Sequence, residues 1–136
     1  MTDNNKNNDL SQDWYKFAMM DINAAIHLNN TMTPKPLEII CYHCQQSAEK
    51  MLKGFLISNS IDPPKIHDLQ LLRIMCVEIN DDFEELYDIC KDLTPYGVQP
   101  RYPNEIEVSE TDVETAIQNV QAMIEFFETQ GISICP

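Results

Sequence analysis

The chain has 136 residues, 43% of them hydrophobic, and a formal net charge of −13. That length suits one domain with a proper core, and the acidic balance argues against general duplex binding, which rests on neutralising phosphates. The apolar runs are too short to span a membrane and the start, MTDNNKNNDL, has no apolar signal core, so a cytoplasmic protein without a membrane partner is expected.

Residues 1–10 read as a disordered polar tail, 11–131 as the folded domain and 132–136 as a short C-terminal tail. Five cysteines at uneven spacing do not form a secreted disulfide framework. The first helix is expected from Ser11, as N-cap, to about Asn29. Its buried stripe is Trp14, Phe17, Ala18, Ala25 and Leu28. Asp21 falls inside that stripe, where a carboxylate needs a partner or hydrogen bonds. Pro34 and Pro36 then end the helix in a loop.

The stretch from Leu37 to Ser58, LEIICYHCQQSAEKMLKGFLIS, is the helix around which the chain is organised. At about 100° per residue, Leu37, Ile40, Cys41, Cys44, Ala48, Met51, Leu52 and Phe55 share one face. Tyr42, Gln46, Glu49 and Lys53 form a narrow second stripe on the other side, with Gln46, Glu49 and Lys53 three and four residues apart. Such a stripe is either a solvated face with helix-stabilising pairs or a polar groove facing a second chain. Cys41 and Cys44 form a CxxC, but no second pair exists and both lie on the apolar face. Core thiols are expected there, with no metal and no cofactor.

A loop with Pro63-Pro64 follows, and His67-Asp68-Leu69 opens a third helix with Asp68 as cap or first-turn acid. Its core face is Leu69, Leu72, Met75, Cys76 and Ile79. Asn80-Asp81-Asp82 caps a fourth helix, with Phe83, Leu86, Ile89 and Cys90 inward. Thr94–Ser109 holds three prolines and a glycine and reads as a loop, functional or mobile, carrying Tyr96, Arg101 and Tyr102. Ser109 with Asp112 forms an approximate capping box for the last helix. That helix buries Val113, Ala116, Ile117, Val120, Met123, Ile124 and Phe127, and ends at Gly131. The expected fold is all-α, a five-helix up-and-down bundle with no sheet.

Charge is uneven along this layout. Lys35 to Arg73 carries five basic residues against four acidic ones, whereas seven carboxylates and no lysine or arginine follow Arg101. A small positive patch on an acidic body suits a phosphate group better than a long duplex.

Trp14-x3-Ala18-x2-Asp21-Ile22-x2-Ala25, Cys41-x-His43-Cys44-Gln45-Gln46-x2-Glu49-Lys50-x2-Lys53, His67-Asp68-Leu69 and Arg101-Tyr102-Pro103 together resemble the HEPN superfamily (higher eukaryotes and prokaryotes nucleotide-binding) over about residues 11–130. The resemblance implies a helical bundle that forms a homodimer with a polar groove at or near the interface. It also implies a small nucleotidyltransferase partner in a toxin–antitoxin pair. Many relatives are metal-independent ribonucleases with an Arg-x4-6-His motif at the start of the last helix. Carried onto this chain the arginine is Arg101, but Ile106, Glu107 and Val108 stand where the histidine would be. His27, His43 and His67 all precede Arg101, so His67 would have to enter from another helix.

The expected function is therefore a binding module with a degenerate ribonuclease motif, holding a nucleotide, an RNA phosphate or a protein partner. Its ligand-binding candidates are Arg101, Tyr102, Gln46, Glu49, Lys53, Asp21 and His67. Arg101, in a proline-stiffened loop, is also the single catalytic candidate, or else an internal bridge to Glu49 or Asp21. The alternatives are a ribonuclease toxin using Arg101 with a displaced base, and a purely structural partner protein.

Overall fold

No glycine or proline occurs between Thr2 and Thr31, and the whole of that stretch is helix α1 in the computed structural model, which describes residues 2–97 and 107–134. Four further α-helices follow: α2 Leu37–Ser58, α3 Leu69–Ile79, α4 Tyr87–Leu93 and α5 Glu110–Thr129. Two 3-10 turns, Asp81–Leu86 and Thr94–Gly97, flank α4. The described residues are an all-α bundle without a strand, as the periodicity predicts.

The caps fall where side-chain chemistry puts them. Asp68 Oδ1 accepts from the amides of Gln70 and Leu71 at the start of α3, and Asn80 Oδ1 accepts from Asp82. Ser109 and Asp112 exchange both bonds of a capping box. The fourth expected helix is divided: Phe83 and Leu86 sit in the 3-10 turn, Cys90 and Leu93 in α4, and all four are buried.

α1 departs from expectation in two ways. It starts at Thr2 rather than Ser11, so the stretch expected as a disordered tail continues the helix. Ser11 is buried inside it and donates to the Asn8 carbonyl, and Asn7 reaches across to Ser60 Oγ. Its buried face is Ser11, Tyr15, Ala18, Ile22 and Ala25, with Phe17 51% exposed. The rotation is set by α2. Gly54 lies under the Tyr15 ring so closely that a Cβ there would meet Cε1 at 2.6 Å. Ser47 Oγ, also buried, donates to the Ala18 carbonyl at 2.7 Å.

α2 is the central element, in contact with α1, α3, α4 and α5. Its apolar face packs as its spacing predicts. Phe55 then enters an aromatic cluster with Phe83 (centroids 4.4 Å) and Phe127, which Phe126 extends. Cys41, Cys44, Cys76 and Cys90 are free thiols in this core. Burial, before any neighbouring charge, pushes the thiols of Cys41 and Cys90 up to about 12. No described helix is long and apolar enough to cross a membrane.

Candidate functional site

The second stripe of α2 is largely covered rather than solvated. Glu49 and Lys53 are 4% and 7% exposed, and Lys53 Nζ donates to Glu49 Oε2 at 3.0 Å across one helical turn. The other oxygen, Oε1, accepts from Gln45 Nε2 at 3.2 Å and meets His67 Nδ1 at 2.8 Å. Gln45 also donates to the His67 carbonyl at 2.9 Å, and Gln46 Nε2 donates to Gln45 Oε1 at 2.7 Å. One buried carboxylate thus gathers an ammonium, an amide and an imidazole.

His67 differs from its partners. It lies just before the cap of α3 and its side chain is 67% exposed, while the carboxylate that holds it is 6% exposed. A carboxylate only accepts, so Nδ1 carries the proton and Nε2 is the free ring nitrogen. Among the described residues Nε2 has no partner. The 3-10 turn Thr94–Gly97 rests on the same group: a Cβ at Gly97 would come within 3.1 Å of Gln45 Nε2 and 3.5 Å of the His67 Cβ.

Asp21 has a similar arrangement on the other edge of α2. Its Oδ1 meets His43 Nδ1 at 2.9 Å and its Oδ2 accepts from Lys50 Nζ. This answers the demand of a carboxylate placed within an apolar stripe. His43 and Lys50 were not among the sequence-derived candidates, although the i, i+7 spacing of the two puts both on one side of α2.

The seven candidates therefore separate. Glu49, Lys53, Gln46 and His67 belong to one cluster, of which His67 is the exposed member. Asp21 belongs to a second cluster. Arg101 and Tyr102 lie outside the described residues; Gly97 packs beside Gln45 and His67.

A recess of about 240 Å³ lies elsewhere, between α4, the following turn and α5, lined by Asp92, Tyr96, Asp112 and Asn119 among others. Burial, then the carboxylates of Asp112 and Asp92 together with Cys41, pushes the Tyr96 hydroxyl up to about 12. Among the described residues its walls carry two carboxylates and no basic or imidazole group.

Comparison with protein-family models matches residues 11–130 to the HEPN domain. Neither the curated proteins nor the solved structures give a match. The family match spans the N-terminal helix pair, the buried Glu49–Lys53 cluster and the last helix, most of the sequence, and on it the chain belongs to the HEPN domain family.

Proposed function

We propose that this chain is a dimeric HEPN-domain binding module that holds the phosphate of a nucleotide or RNA at the edge of α2 where His67 stands on Glu49. Membership of the family supports a nucleotide-binding or ribonuclease-type module. One observation carries the choice of site: a buried carboxylate–ammonium pair holds an imidazole that is itself two-thirds exposed. A buried ion pair is a weak source of stability, since apolar side chains of like volume usually do as well. Orienting an exposed imidazole is a use that apolar side chains cannot replace.

In this reading the bound-state His67 ring carries a proton on each nitrogen, so that Nδ1 donates to Glu49 and Nε2 to a phosphate oxygen, and Arg101 and Tyr102, four and five residues beyond Gly97, supply further contacts. A homodimer with α2's stripe beside its interface, and a small nucleotidyltransferase as partner, complete the proposal. Family resemblance supports both, and the stripe of hydrogen-bonding groups on one helix supports the homodimer.

The test is a thermal-shift series with common nucleotides on wild type, His67→Gln and Arg101→Ala. A nucleotide-dependent rise in melting temperature that both variants lose supports the reading. A wild type that no nucleotide stabilises contradicts it.

The Glu49–His67 pair also favours a second reading. An imidazole held by a carboxylate has a second ring nitrogen through which a proton can pass, which is the capacity the sequence lacks after Arg101. A metal-independent ribonuclease would then use His67 in place of the missing histidine. RNA cleavage in EDTA that His67→Gln abolishes would favour it over pure binding.

A further inference from the structure

We propose that the Asp21–His43–Lys50 cluster is a second phosphate subsite, and that the ligand spanning both clusters is single-stranded RNA rather than a mononucleotide. This rests on the phosphate reading of His67.

The two clusters share one design. In each, one carboxylate oxygen holds an imidazole by Nδ1 and the other holds a lysine ammonium: Asp21 with His43 and Lys50, Glu49 with His67 and Lys53. Both carboxylates are thereby engaged within the protein, and in both rings Nε2 has no partner among the described residues, so that a ring protonated on both nitrogens would present Nε2–H to a phosphate oxygen. His43 and Lys50 are partly exposed, at 30% and 27%, while Asp21 is 12% exposed. The local surface is thus close to neutral although the chain is strongly acidic.

Position along α2 says what would bridge them. His43 and Glu49 are six residues apart, about 9 Å along the axis, and about 120° apart around it. His67 stands on Glu49, so the two imidazoles are set at different heights and angles along α2, a separation that the consecutive phosphates of a strand fit better than a single phosphate does. Tyr42 and Gln46 fall between the two by helical angle, and both are half-buried. Tyr42 stands edge-on to His43 with centroids at 5.9 Å, and Phe17, 51% exposed, lies one turn before Asp21 on α1. Aromatic rings beside phosphate-binding groups are the means by which single strands are held, since every base has a face to stack.

The experiment is fluorescence anisotropy with a short labelled single-stranded RNA, and calorimetry with a mononucleotide, on wild type, His43→Gln and His67→Gln. The loss of one charge-assisted contact should weaken RNA binding about tenfold in His43→Gln and leave mononucleotide binding unchanged, whereas His67→Gln weakens both. RNA binding by His43→Gln equal to wild type overturns the second subsite and leaves the first standing. Equal loss of both ligands in His43→Gln also overturns it, because the clusters would then be one site. A wild type that binds neither ligand overturns the reading of His67 as well. Should His43→Gln fail to fold, Lys50→Gln carries the same comparison.

Discussion

Glu49→Gln changes one atom's chemistry and almost no volume, so its effect isolates the charge. In the native protein the Lys53 ammonium is buried and has one carboxylate partner among the described residues, Glu49 Oε2 at 3.0 Å. Removing that partner strands a buried cation, which costs about 3–5 kcal/mol where measured. The glutamine retains a neutral acceptor, so about 3 kcal/mol is expected here, on the order of a 10 °C fall in melting temperature for a domain of this size. Lys53→Met should cost less, about 1–2 kcal/mol, because Glu49 keeps the donors Gln45 and His67. The double variant Glu49→Gln/Lys53→Met removes both charges and should lose about 2–3 kcal/mol rather than the sum of the two single losses, about 4–5 kcal/mol, a coupling of about 2 kcal/mol. Urea unfolding followed by circular dichroism, at one fixed protein concentration and pH 7, measures all four corners of the cycle. If Glu49→Gln unfolds within about 0.5 kcal/mol of wild type, as a surface substitution would, the pair is solvated and the reasoning fails.

Gly54→Ala should destabilise by about 1–3 kcal/mol despite alanine's better helix propensity, because the added Cβ meets the Tyr15 ring at 2.6 Å. Thermal melting checks it, and a gain in stability would mean that α1 and α2 are not packed so closely. Cys41, Cys44, Cys76 and Cys90 should resist a thiol reagent at pH 8 until the protein unfolds, read by peptide mapping. Because burial raises the thiol pKa above the unfolded value near 9, the folded state holds more protons above that pH. The stability is thus fully present below about pH 9 and falls as pH rises toward about 12; a flat urea midpoint over that range would refute the burial. Light scattering at micromolar concentration should give the mass of a homodimer, and a monomer would count against the dimeric reading.

Much of the bundle is legible from local chemistry alone. The bounds of α2 follow from a proline before it and an unbroken apolar period, and the caps at Asp68, Asn80 and Ser109 are single-residue signals read correctly in isolation. What periodicity misses depends on a second element. α1 has two apolar stripes, one with Phe17 and one with Tyr15 and Ile22, and Gly54 on another helix decides between them. Phe126 is likewise buried beside Phe127, although it stood outside the expected stripe.

The candidate site shows the same division. Gln46, Glu49 and Lys53 stand out as a regular polar stripe, but which of them is covered depends on His67 and the turn at Gly97, far along the chain. The helix's own pattern carries no trace of either. The Asp21 cluster is foreshadowed by a carboxylate where an apolar residue should be, yet its partners are invisible until α1 lies beside α2. Composition singles out the loop around Arg101, whose residues 98–106 fall outside the described structure.

The most direct test of His67 as the ligand contact is to watch its ring nitrogens. Long-range proton–nitrogen NMR on labelled protein resolves Nδ1 and Nε2 of each histidine during titration with a nucleotide. The account predicts that His67 Nε2 shifts and saturates with the ligand, while Nδ1 keeps the signature of a proton shared with Glu49. A nucleotide that binds and leaves His67 Nε2 unmoved would contradict it.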